Sequence, residues 1–145
     1  MAEPATLNER VVAEFRANGG RVGGRFAGMP LVLLHHVGRT SGREFVTPAA
    51  YLPVAGTEDA VYVFATNGGA AEDPGWYANL LAAGTTRIER GTETFPVTVR
   101  ELTGDERDAV YAEQVRRSPG FAEYERMTAG VRVIPVLELV RAGTG

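Results

Sequence analysis

The sequence contains no cysteine. Disulfides, thiol nucleophiles and cysteine-held metal sites are therefore excluded, and a reducing compartment fits. Histidine is scarce: His35 and His36, adjacent in the chain, are the two it has. Neighbouring strand residues point to opposite faces, so this pair is not expected to share a metal ion. One of the two can line a pocket; a packed neutral imidazole explains the pair equally well. No apolar run approaches the roughly 20 residues that a bilayer span requires. The opening Met1-Ala-Glu-Pro-Ala has no basic segment ahead of an apolar stretch, so no secretory signal is expected. Residues 1–5 read as a flexible tail, and the expected location is cytoplasmic. Positive charge is not in surplus. A net charge of −3 disfavours a nucleic-acid partner, while leaving room for a local basic pocket. A length of 145 residues suits one domain with one sizeable core.

The informative stretch is Leu31–Tyr51. Two apolar runs, Leu31–Val37 and Phe45–Tyr51, flank the polar turn Gly38-Arg39-Thr40-Ser41-Gly42-Arg43-Glu44. Such runs, bounded by glycine, predict two antiparallel strands. The turn has the makings of an anion cradle. Gly38 and Gly42 can take positive φ and let backbone N–H groups approach a ligand. Thr40 and Ser41 offer hydroxyls, and Arg39 and Arg43 offer forked cationic donors. A solvated hairpin turn has the same composition, and spacing alone does not separate the two.

Elsewhere the signals are local. Thr6 and Glu9 have capping-box spacing, and Leu7, Val11 and Phe15 form an apolar stripe, which predicts a helix ending at Asn18-Gly19-Gly20. Arg21–Pro30, rich in glycine, reads as an irregular arm. Val61–Thr66 reads as a third strand running into Asn67-Gly68-Gly69. Asp73-Pro74 opens a helix, Asp as cap, that carries Trp76, Asn79 and Leu80 on one face and ends near Gly84. An indole beside a polar amide and a Gly-Gly loop suggests a pocket wall; a tryptophan pinning the helix to the core is compatible with it. A second hairpin turns at Gly91, where Pro96 predicts an edge strand or a bulge. Thr103 and Glu106 repeat the capping box, Ser118-Pro119 restarts a helix with Phe121, Tyr124 and Met127, and Val133–Val140 is the last strand. Hairpin-linked strands with interspersed helices predict an α+β fold on a small antiparallel barrel.

Together these motifs resemble the deazaflavin (coenzyme F420)-dependent nitroreductase family. The resemblance runs through Phe15–Gly24, Gly38-x-x-Ser41-Gly42 with Thr47-Pro48, Ala65–Gly69, Asp73–Leu80, Gly91–Val97 and Arg132–Val136, nearly the whole chain in order. It implies a split β-barrel with flanking helices and a reductase that passes a hydride from reduced F420 to a quinone or nitro compound. By the same resemblance, Gly38, Arg39, Thr40, Ser41, Gly42 and Arg43 would hold the cofactor's phosphate. Pro48, Thr66, Asn67, Gly68 and Gly69 would border its tricyclic ring, with Trp76 and Asn79 against ring and linker. Ala50, Phe121 and Tyr124 fall at substrate-side positions, Tyr124 supplying a catalytic hydroxyl. Phe45, Thr40 and Asn67 stand where basic residues are frequent in the family. Ala50 and Phe121 replace tyrosines of the branch that reduces nitro prodrugs. The alternative is a split barrel that binds FMN or a lipid without this chemistry. The expected partner is a small-molecule substrate, with peripheral membrane contact open.

Overall fold

The computed structural model describes residues 6–23 and 29–142. The expected tail at residues 1–5, the middle of the glycine-rich arm at 24–28 and the frayed end at 143–145 lie outside the described residues. The first helix, α1 (Leu7–Ala17), starts as its sequence predicts: the Thr6 hydroxyl accepts a hydrogen bond from the Glu9 N–H at 3.1 Å. Val11 and Phe15 bury the helix stripe against Leu31 and Leu33.

Strands β1 (Leu31–Val37) and β2 (Glu44–Pro53) pair antiparallel as predicted, the second longer than its apolar run, with Leu34 opposite Thr47 and Val37 opposite Glu44. They are followed by β3 (Ala60–Phe64), a 3₁₀ turn (Asn67–Gly69), α2 (Gly75–Ala83), β4 (Thr85–Arg90), β5 (Glu93–Leu102), α3 (Gly104–Arg117), α4 (Gly120–Thr128) and β6 (Val136–Arg141). The strands close an antiparallel barrel in the order β1-β2-β3-β6-β5-β4. Its interior is filled by Val32, Leu34, Val61, Val63, Ile88, Val97, Leu137 and Leu139, with Trp76 and Leu80 of α2 stopping one end. Inward residues alternate along each strand, as closure demands.

Closure is uneven, and the uneven place matters. Strand β2 pairs with β3 only through Tyr51, Leu52 and Pro53. From Glu44 to Ala50 it has β1 on one side and, among the described residues, no strand on the other. The Tyr51 N–H points to the β1 side, toward the Pro30 carbonyl at 3.1 Å. By alternation, Pro48 and Ala50 turn their backbone to the open side. Pro48 has no N–H to lose there, so a proline in the middle of a strand costs no ladder bond.

Several local expectations are corrected by tertiary partners. Pro96 marks neither an edge nor a bulge: β5 runs between β4 and β6, and the β4 register continues through Arg87 opposite Pro96. The β6 ladder begins only at Val97, so the missing N–H falls just beyond its end. Asp73 does not cap α2; Pro74 occupies that position and the Asp73 carboxylate pairs with Arg132. Thr103 makes no side-chain cap on α3, and the Glu106 carboxylate pairs with Arg100 instead of reaching back to the helix start. The last strand begins at Val136 rather than Val133: the Pro135 carbonyl still accepts from the Ala65 N–H, but Pro135 has no N–H with which to continue the ladder. Gly84 ends α2 in the left-handed conformation at φ 73°, as predicted.

Candidate functional site

The gap beside β2 opens into a cavity of about 620 Å³, within the roughly 300–1,000 Å³ usual for small-molecule sites. Thr47, Pro48, Ala49 and Ala50 form its strand wall, and Thr66, Asn67 and Gly68 face them from the loop after β3. Pro74, Gly75, Trp76 and Asn79 close the α2 side. Phe64, Phe121 and Tyr124 supply an aromatic wall in which Phe121 meets Phe64 and Tyr124 edge to face, at 5.7 and 5.3 Å between centroids. Behind it, the Tyr111 hydroxyl donates to the Phe121 carbonyl at 2.7 Å and pins the start of α4. Burial raises the Tyr111 pKa, so this hydroxyl stays a donor.

One side of the cavity is polar and ordered. Asn79 Oδ1 accepts from the Arg39 backbone N–H at 3.2 Å and from Arg39 Nη1 at 2.9 Å. Its Nδ2 lies 2.9 Å from His36 Nδ1, and His36 Nε2 lies 2.9 Å from Thr47 Oγ1. The His36 ring also stacks on Phe45 at 5.3 Å. Burial and the neighbouring His35 hold the His36 pKa below the ordinary imidazole value. His35 faces the other way and meets Glu89 at 2.7 Å, so the two histidines are on opposite faces as expected.

The loop from Ala65 to Asp73 is held by one side chain. Arg132 donates to the carbonyls of Ala65, Thr66 and Ala70 at 3.1, 2.8 and 3.0 Å, and to Asp73 at 2.8 Å. Gly69 takes φ 84°, with Met127 of α4 packed where a side chain would stand.

The expected site residues therefore separate into two groups. Pro48, Ala50, Thr66, Asn67, Gly68, Trp76, Asn79, Phe121 and Tyr124 meet on one cavity. Gly38, Thr40, Ser41, Gly42, Arg43 and Gly69 are not on its wall, and Arg39 reaches it through Asn79. The turn is internally tied. The Gly42 N–H donates to the Gly38 carbonyl at 2.8 Å, and the Ser41 hydroxyl accepts from the Arg43 N–H at 3.2 Å. That hydroxyl sits against Gly38 where a Cβ would have to go. Arg43 leaves the turn to lie over the Phe45 ring at 5.6 Å.

Sequence reading offered one of the two histidines as a pocket-lining residue without choosing His36, and assigned no contact of their own to Thr47, Phe45 or Arg132. Thr47 and Phe45 share the inward face of β2 with Ala49, a period-two signal that was available. Asn79 lies 43 residues from His36, and the partners of Arg132 lie 59 or more residues from it, so no local pattern announces these bonds.

The architecture is a six-stranded closed antiparallel barrel with a cavity beside an interrupted strand, an indole on one wall and a cation-bearing turn at its end. Comparison with known proteins makes the family explicit. The profile of the F420H(2)-dependent quinone reductase family matches residues 8–140. An F420H(2)-dependent quinone reductase of Mycobacterium tuberculosis is 32% identical over 133 residues, which cover 89% of this chain and 86% of that protein. A solved F420H2-dependent reductase superposes with a TM-score of 0.65 at 32% identity, covering 76% of this chain and 93% of the other. Another solved structure, described as a domain-swapped dimer, reaches 0.67 at 31% identity, with 88% and 90% covered. The chain belongs to the F420H(2)-dependent quinone reductase family. It is by that membership an F420-dependent oxidoreductase of small molecules, and FMN is not the cofactor the family supports.

Proposed function

We propose that the cavity beside β2 receives the F420 ring and that a quinone is reduced against it. The observation that carries this reading is the meeting, on one cavity, of the indole of Trp76, the open edge at Pro48–Ala50 and the aromatic wall of Phe121 and Tyr124. The donor set suits the cofactor. Its walls can take a flat ring, and Arg39, held by Asn79, sets a guanidinium between the cavity and the turn. The turn Gly38–Arg43, with its two arginines, is the proposed seat of the cofactor's phosphate.

Reduced F420, when bound, supplies a hydride. The protein's own contribution is placement and polarity. Trp76 and Pro48 would confine the ring, while Thr66, Asn67 and Gly68 would offer it a polar loop. Phe64, Phe121 and Ala50 leave apolar space for the acceptor and keep water from it. The Tyr124 hydroxyl makes no hydrogen bond among the described residues and lines that space, so it can donate to a quinone oxygen as negative charge develops there. Exposed Met127, Val131 and Val133 flank the same helix and turn, and would let this end of the molecule approach a lipid-borne quinone. A cytoplasmic location belongs to the same reading.

The test is direct. F420, FMN and a buffer control are titrated into the protein while the fluorescence of its single tryptophan is followed, and F420H2 oxidation is then measured with a soluble quinone. Quenching by F420 alone, and quinone-dependent oxidation, are expected. Tyr124→Phe is expected to lower kcat about tenfold or more while leaving the F420 affinity within about twofold. Quenching by FMN alone would overturn the reading.

A further inference from the structure

The hydrogen bonds around Asn79 run in one direction. A backbone N–H can only donate, and so can a guanidinium. The Asn79 atom that receives both from Arg39 must therefore be the amide oxygen. The NH2 group then faces His36 Nδ1, which must be bare to accept it. A neutral imidazole with Nδ1 bare carries its proton on Nε2. That proton is donated to Thr47 Oγ1 at 2.9 Å. The Thr47 oxygen has thereby used an acceptor site and still holds its own proton. No other partner of this hydroxyl occurs among the described residues, and Thr47 lines the cavity. Asn79 and His36 are both more than nine-tenths buried, so water does not break the chain within.

We propose that Thr47 is a ligand-contacting hydrogen-bond donor, its hydroxyl proton turned into the cavity by the one-way chain Arg39–Asn79–His36. It favours a ligand that presents a carbonyl-type oxygen or a bare ring nitrogen to the β2 wall. The cation at the head of the chain polarises each bond in turn, which strengthens the last one. Identification of that ligand with the F420 ring rests on the function proposed above; the direction of the chain does not.

Two measurements test it. In protein labelled with 15N-histidine, whose spectrum holds only two imidazoles, His36 is expected at neutral pH as the Nε2–H form with bare Nδ1. An Nδ1–H form or an imidazolium would reverse the chain and overturn the proposal. Separately, oxidised F420 is titrated into the wild-type protein, Thr47→Ser and Thr47→Val. Valine keeps the shape and removes the proton; it is expected to weaken binding about tenfold, and serine to restore it to within about twofold. Equal affinity of Thr47→Val and the wild type would also overturn the proposal. If the wild type does not bind F420 and yet shows the Nε2–H form, the F420 reading fails and the donor stands.

Discussion

Arg132 and Asp73, 59 residues apart, form an ion pair at 2.8 Å that closes the cavity loop onto the end of α4. The same guanidinium spends its remaining donors on three carbonyls of that loop. Arg132→Ala leaves those carbonyls and Asp73 without their donor. It is expected to cost about 2–4 kcal/mol in chemical unfolding. In Arg132→Lys the ammonium keeps its charge but cannot fork across the carbonyls, so the loop should loosen. F420 affinity is then expected to fall further than stability does, a difference visible by setting titrations beside melting curves.

Gly69 tests the same loop from its backbone. Its φ of 84° and the sulfur of Met127 both oppose a side chain. Gly69→Ala should destabilise the fold by about 1–3 kcal/mol. Adding Met127→Ala removes the collision and leaves the backbone strain, so the double variant should recover part of that loss. Full recovery in thermal melts would show that the conformation at Gly69 costs nothing.

The turn between β1 and β2 makes a sharper distinction. Ser41→Ala removes the hydroxyl that receives the Arg43 N–H. Thr57→Ala removes the equivalent bond, Thr57 Oγ1 to the Asp59 N–H at 3.0 Å, from a turn remote from the cavity. Both should cost stability alike, by about 1 kcal/mol. Only Ser41→Ala should weaken F420, by about tenfold, if the turn seats the phosphate. A matched effect of the two on affinity would remove the turn from the site.

Acid should loosen the protein through His36. The folded pKa is below the unfolded 6.5, so the unfolded chain takes up the proton first. Stability is full above that value and is lost as pH falls below it, by at most about 1.4 kcal/mol per pH unit. Glu89 acts lower. Its hydrogen bond from Arg16 holds its carboxyl below the usual 4.5, a stabilisation present above that value and lost as pH falls through the folded pKa. Urea unfolding between pH 7.5 and 5 should therefore show a slope that His36→Gln lacks. Equal slopes in the two proteins would place the titrating group elsewhere.

Much of this was present in short windows of sequence. The continuous apolar run Leu31–Val37 and the alternating Phe95, Val97 and Val99 set strands, the first buried on both faces and the second on one. Thr6 with Glu9, and Gly84, set helix ends because a cap satisfies groups within its own turn. The nine residues gathered by resemblance come to line one cavity, because the strand, loop and helices carrying them pack around it.

Other features depended on partners far along the chain. Asp73 and Glu106 had the spacing of helix caps, and distant or cross-strand arginines took them instead. Pro96 had the mark of an edge, yet it lies in an interior strand: its carbonyl accepts from the Ala142 N–H, and its missing N–H falls just past Arg141, the last residue of β6. The turn Gly38–Arg43 kept its composition and turned its serine inward, so only Arg39 reaches the cavity wall. Local chemistry determined where strands, helix ends and turns fall, since those groups are satisfied within a few residues. The sense of the Asn79–His36–Thr47 chain, and the clamp made by Arg132, were decided only when closure of the barrel brought buried donors and acceptors from separate segments within hydrogen-bond reach.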